Sequence, residues 1–245
     1  LWDSATPIAD VDIWEEFRKN VVEKIWIDKL PSPYLVYLRV LEEYFSTTAP
    51  QDFKTPYEIT KDNRLPDGKV YNDFAYQTDA IIEGINRLKR HNGVIIADVV
   101  GLGKSIIASA IAANMNMPVI VIAPPHLKTQ WEDYCKDFHI QHNSHVFSSG
   151  KISEVADKFA NDEQPFLLIV DEAHKYRNKN KDYDNLYRLS KGGYNKVMLL
   201  TATPYSNKPD DIYNLIRLFQ IPEKTTLRNI NNLGGQFEEL IREYN

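Results

Sequence analysis

The chain has 245 residues, 43% of them apolar and 26% charged, which allows one large globular domain or one domain with an extension. Its net charge of −5 argues against a broad basic surface for nucleic acid and leaves only local patches for that role. The longest aliphatic runs, "PVIVIA" and "FLLIV", fall far short of the roughly 20 residues of a membrane span, and no signal-peptide pattern opens the chain, so no membrane partner and a cytoplasmic setting are expected.

Residues 1–65 read as a helical N-terminal extension. In "VDIWEEFRKNVVEKIWI", Trp14, Phe17, Val21 and Ile25 recur at helical spacing. "SPYLVYLRVLEEYFS" opens with Ser32 as an N-cap and Pro33 at the first helical position. Trp14, Trp26, Tyr34 and Tyr37 are taken as packing residues. "TTAPQDFKTPYEITKDNRLPDGK" follows as a loop-rich connection. The first residue is not methionine, and the expectation is a piece of a longer protein.

Residues 66–245 show a different pattern. Short apolar runs, "GVIIAD" (93–98), "PVIVIA" (118–123), "SHVF" (144–147), "FLLIV" (166–170) and "KVMLL" (196–200), alternate with stretches long enough for crossover helices. Strands apolar on both faces belong to a buried parallel sheet, so the expected fold class is α/β, a doubly wound parallel sheet with helices on both faces. Ligands of such sheets sit beyond the carboxyl ends of the strands.

Three of those strand ends carry chemistry. After the first comes Asp98-Val-Val-Gly-Leu-Gly-Lys-Ser and then an apolar helix. Gly101 and Gly103, with Leu102 between them, let backbone N–H groups face an anion at a helix start. Lys104 is placed to neutralise phosphates, and Ser105 to ligate Mg2+. A phosphate loop usually has glycine where this chain has Asp98. After "FLLIV" come Asp171 and Glu172, a metal-holding carboxylate and a water-activating one; an acidic helix start favoured by the helix dipole is the other reading. After "KVMLL" come Thr201 and Thr203, whose hydroxyls either bond His174 and the water near a phosphate or are ordinary turn formers. Together the three ends describe a nucleoside-triphosphatase site.

In these motifs the chain resembles superfamily two helicases, and among them the Swi/Snf-type ATPases. "DVVGLGKS" resembles their motif I, in which an acidic residue often stands at the Asp98 position. "DEAH" resembles motif II, "LLTATPYSN" motif III, "VIAPPHLKTQW" motif Ia, and "YQTDAI" the adenine-reading Q motif, while "DDIYNLIRLF" fits the helix after motif III. "FSSG" (147–150) is a weak candidate for motif Ib. The resemblance covers roughly residues 70–222 and implies a RecA-like first lobe. It further implies that Gln77 reads adenine with Tyr76 beside it, that Gly101, Leu102, Gly103, Lys104 and Ser105 hold ATP, and that Asp171 holds Mg2+ with Ser105. Glu172 is the implied general base. His174, Thr201 and Thr203 would couple nucleotide state to a nucleic-acid track, and Pro124, Pro125, His126 and Lys128 would lie along that track. The resemblance implies DNA, double-stranded in preference, or RNA as partner, together with a second RecA-like lobe bearing arginine fingers. Too few residues follow 222 for that lobe, so slow hydrolysis is expected of this chain alone.

Other signals point less far. His139, His142 and His145 recur at spacings of three, but no cysteine or carboxylate completes a zinc set. The basic run with Lys175, Arg177, Lys179, Lys181 and Arg188 reads as a solvated loop or as a contact to nucleic acid or a second lobe. Trp131 reads as a packing residue on the helix after motif Ia. The single Cys135 reads as a buried thiol in a reducing compartment. A reading from another class, a nucleotide-dependent scaffold with vestigial hydrolysis, sits poorly with intact Lys104, Asp171 and Glu172.

Overall fold

The computed structural model describes residues 49–63, 68–97, 101–190, 194–204, 208–227 and 232–244. The helices expected within 1–48, with Trp14, Trp26, Tyr34 and Tyr37, lie outside the described residues, as does Asp98. Every described residue belongs to one compact unit, Thr48–Asn245.

Five strands form one sheet: β1 (Gly93–Ala97), β2 (Val119–Ala123), β3 (Ser144–Ser148), β4 (Leu167–Val170) and β5 (Lys196–Thr201). Their order is β1-β5-β4-β2-β3, and every pairing is parallel. This is the expected RecA-like α/β sheet, with each strand within a residue or two of its apolar run. Side chains alternate across a strand, so a strand buried on both faces must be apolar throughout. Leu167 and Ile169 face one core layer and Leu168 and Val170 the other.

Helices α2 (Ala75–His91), α3 (Lys104–Met115) and α4 (Lys128–Asp137) fill the first layer with Ile81, Ile85, Ile107, Ile111, Trp131 and Phe138. Helices α5 (Ile152–Phe159), α6 (Lys181–Ser190) and α7 (Pro209–Arg217) fill the second with Ile152, Val155, Phe159, Leu186, Leu189 and Leu215. Helix α8 (Leu233–Tyr244) packs on α7, where Phe237 stacks on Tyr213 with ring centroids 4.8 Å apart. No described helix is long and apolar enough to cross a membrane.

The helix ends are closed by local chemistry. Asn92 ends α2 in the left-handed region, and the Lys196 ammonium donates to the Leu88 carbonyl at 2.9 Å and to Asn92 Oδ1 at 2.8 Å, serving carbonyls that the helix leaves open. A short helix, α1 (Pro56–Thr60), interrupts the expected loop-rich connection. Its signal was in the sequence: Thr55 and Glu58 form a capping box around Pro56 at the first turn. Although the expected extension reaches residue 65, residues 49–63 are bonded into the compact unit. Asn114 of α3 exchanges two hydrogen bonds with the Lys54 backbone, Thr60 Oγ1 accepts from the Tyr71 N–H at 3.0 Å, and the Tyr71 hydroxyl donates to Asp137 at 2.7 Å.

Candidate functional site

Parallel register brings the strand ends to one edge of the sheet. Ala97 pairs with Thr201, Val170 with Leu199 and with Ile122, and Ala123 with Ser148. The segments leaving that edge carry Gly101–Ser105, Asp171–His174, Thr201–Thr203 and Pro124–Lys128, and "FSSG" leaves it beside them.

In the glycine loop, Gly101 and Gly103 both adopt positive φ, +97° and +81°, a region that side chains with a Cβ enter at a cost. Gly103 caps α3, so Lys104 and Ser105 occupy its first turn, where unpaired N–H groups and the helix dipole favour an anion. Gln77 of α2 approaches from behind. Its Nε2 donates to the Leu102 carbonyl at 3.2 Å, and the exposed Tyr76 hydroxyl sits 3.2 Å from the same nitrogen. A Cβ on Gly103 would lie 2.5 Å from that nitrogen. Gln77 is buried, and its Oε1 has no hydrogen-bond partner among the described residues.

Asp171 follows the last residue of β4 and is only 8% exposed. Its Oδ1 accepts the Glu172 backbone N–H at 2.8 Å and its Oδ2 the Trp131 indole N–H at 2.9 Å. Burial pushes the carboxyl above the ordinary carboxylate range and Glu172 adds to the rise, while the two hydrogen bonds and the Lys104 charge pull it back. The chain then turns sharply, for Glu172 is left-handed with φ 53° and ψ 45°. That conformation costs a non-glycine residue on the order of 1 kcal/mol. Past the turn, Ala173 is fully buried in a 3-10 turn, and His174 Nδ1 lies 3.0 Å from Glu172 Oε2, out of line for a hydrogen bond.

Thr201 Oγ1 accepts the Thr203 backbone N–H at 3.1 Å, closing a turn at the end of β5. Arg177 ties this turn to the acidic one: Nε donates to the His174 carbonyl at 2.9 Å and Nη1 to the Thr203 carbonyl at 3.4 Å. Asp211 Oδ2 lies 3.9 Å from Arg177, and Asn214 donates to its carbonyl at 2.6 Å. Sequence reasoning took Arg177 only as one of a basic run, because partners 26 and 37 residues away leave no local signal.

Pro124 is buried, and Pro125 and His126 are exposed in the 3-10 turn that leads into α4. Lys128 opens α4 and pairs with Glu132 at 2.6 Å. Trp131 packs in the core, as expected, but the contact of its N–H with Asp171 was not foreseen. The signal was general: a buried indole N–H seeks an acceptor. Cys135 is buried, and burial raises its thiol pKa. Of the three histidines, His145 packs against the Phe159 ring with centroids 5.5 Å apart. Among the described residues no group of three or more His, Cys, Asp or Glu is placed to hold a metal ion.

The edge therefore presents a helix start and lysine for an anion, and hard oxygen donors, Ser105 and Asp171, whose chemistry suits Mg2+. A second carboxylate, Glu172, stands beside them.

Comparison with known proteins finds ATPase and helicase relatives. The profile of the "ATPase family associated with various cellular activities (AAA)" matches residues 94–225. The uncharacterized ATP-dependent helicase YqhH of Bacillus subtilis (strain 168) is 32% identical over 152 residues, covering 54% of this chain and 27% of its own. The Caenorhabditis elegans homolog of the SWI/SNF-related matrix-associated actin-dependent regulator of chromatin subfamily A-like protein 1 is 26% identical over 200 residues, covering 73% of this chain and 27% of its own. The Sulfolobus solfataricus SWI2/SNF2 ATPase core, solved in complex with dsDNA, shares the fold with a TM-score of 0.54 at 21% identity, over 68% of this chain and 37% of that one. This chain thus spans about a quarter of the length of these two curated relatives.

Proposed function

The chain belongs to the ATPase family associated with various cellular activities; from that premise we propose that it is the first RecA-like lobe of a Swi/Snf-type helicase, that its strand-end edge binds ATP and that the longer protein uses ATP hydrolysis to move along nucleic acid, double-stranded DNA in preference to RNA. The observation that carries this reading is the meeting of three strand ends at one edge of the sheet, where Lys104 opens α3 after β1, the buried Asp171 follows β4 and Thr201 ends β5.

In this reading the N–H groups from Gly101 to Ser105, Leu102 included, cradle the phosphates, and Lys104 offsets their charge. Ser105 and Asp171 hold Mg2+, which when bound draws charge from the phosphate oxygens. Glu172 accepts a proton from the attacking water. Leaving its contact with His174 frees its carboxylate for that water. Gln77 offers Oε1 to the adenine amino group. His174, Thr201 and Thr203 pass nucleotide state toward Pro124, Pro125, His126 and Lys128, which lie along the nucleic-acid backbone. The domain division of the sequence reading, an N-terminal extension followed by this lobe, belongs to the same proposal. So does a second RecA-like lobe in the longer protein, whose arginine fingers would raise turnover by on the order of 10³–10⁵.

The test is ATP hydrolysis by the full-length protein with double-stranded DNA, single-stranded DNA and RNA supplied separately. Stimulation by duplex DNA that Lys104→Ala and Glu172→Gln both abolish supports the motor. Nucleotide binding without a nucleic-acid response supports the scaffold with vestigial hydrolysis. The 245-residue chain by itself is expected to turn over slowly, and motor-like rates from it would contradict the need for a second lobe.

A further inference from the structure

Trp131 has no part in the reaction as assigned above. Its indole is 1% exposed, edge-on to Tyr134 with centroids 5.9 Å apart, and any large apolar ring would serve that packing. What a purely apolar ring lacks is the N–H that reaches Asp171 Oδ2 at 2.9 Å. The Glu172 backbone N–H holds the other oxygen at 2.8 Å. Two donors from different elements thus pin the two corners of one carboxylate. Turning the carboxylate would orphan a buried indole N–H, and burial strengthens a hydrogen bond to a charged acceptor. Each oxygen keeps a second lone pair, directed away from its donor and available to a hydrated cation.

We propose that Trp131 is a positioning residue whose indole N–H holds Asp171 in the orientation that receives the hydrated magnesium of a bound nucleotide. The proposal rests on the ATPase reading and deepens it. Groups that orient a metal-holding side chain typically influence metal affinity by about 10- to 100-fold. Trp131 lies one turn from Lys128 on α4, so the helix that begins at the expected nucleic-acid track also carries this donor.

Trp131→Phe keeps a ring and removes the donor, and β-(3-benzothienyl)alanine at position 131 keeps the bicyclic shape with sulfur in place of N–H. Affinity for a fluorescent ADP is measured on the 245-residue chain with magnesium and with a chelator. Both replacements are expected to shrink the magnesium-dependent gain in affinity about tenfold or more and to leave magnesium-free binding unchanged. Phe138→Leu, in the same core layer, is the packing control: it should lower the melting temperature and leave the gain intact. A full gain with either Trp131 replacement, or equal losses with and without magnesium, overturns the proposal. If the unsubstituted chain shows no magnesium-dependent binding, the ATPase reading fails, and the positioning of Asp171 is judged on melting without nucleotide. Non-additive losses for Trp131→Phe and Asp171→Ala then uphold it, and additive losses overturn it.

Discussion

Gln77 and Leu102 are joined across 25 residues of sequence: the buried side-chain amide of one donates to the backbone carbonyl of the other at 3.2 Å. Gly103, the next residue, leaves room for that amide only because it has no Cβ. The Gln77 side chain therefore stands against the glycine loop with its donor engaged, while its buried Oε1 has no hydrogen-bond partner among the described residues. An adenine amino group is a donor of the kind Oε1 lacks.

Gly103→Ala should be doubly costly. It forces a Cβ into φ +81°, at about 1 kcal/mol or more, and presses it on Gln77 Nε2. ATP affinity is expected to fall at least about tenfold, which is about 1.4 kcal/mol. Measured in a Gln77→Ala background, Gly103→Ala should cost the part due to φ and not the part due to the clash, as titration of a fluorescent nucleotide on the single and double variants would reveal.

Gln77→Ala alone should lower the preference for ATP over GTP, measured as the ratio of dissociation constants. An unchanged ratio would remove adenine reading from Gln77 and leave it as a brace of the loop.

Lys128 and Arg177 are both basic and both near the edge, yet they should behave differently toward nucleic acid. Among the described residues Lys128 pairs with a neighbouring, half-exposed Glu132, an interaction worth about 0.3–0.5 kcal/mol that a phosphate can displace. Lys128→Ala should reduce the slope of log affinity against log salt by about 1. Arg177 is tied to two backbone carbonyls, so Arg177→Ala should lower the melting temperature and leave the slope unchanged. Duplex-DNA binding at several salt concentrations separates the two cases.

High pH should unfold the lobe through its buried phenols. Burial pushes Tyr176 and Tyr183 up to about 12, so the fold favours their protonated forms. That contribution is complete below the ordinary phenol pKa of about 10 and is lost as pH rises from about 10 through about 12. Melting temperatures should fall across this window. Tyr183→Phe should shrink the fall while costing about 0.5–1.5 kcal/mol at neutral pH, because its hydroxyl donates to the Asn214 carbonyl.

Much of the fold was readable because buried parallel strands must be apolar on both faces: "PVIVIA" and "KVMLL" admit little else, and β2 and β5 lie on them. The glycine loop was readable because glycine alone enters positive φ at little cost, and Gly101 and Gly103 both adopt it just before α3. The left-handed turn at Glu172 was not readable, since glutamate has no preference for that region. Helix α1 is masked in the sequence by the three prolines of the stretch in which its capping box sits.

By itself the sequence determined the strands, the helix-opening glycines and the kind of chemistry at each strand end, because periodicity and local backbone preference act over a few residues. Tertiary structure alone decided the order β1-β5-β4-β2-β3, which depends on where crossover helices find apolar surface. It also decided the partners of the charged groups at the edge. Trp131 meets Asp171 across 40 residues and Arg177 meets Thr203 across 26, because a buried donor or charge must be satisfied by whatever the closed fold brings within reach.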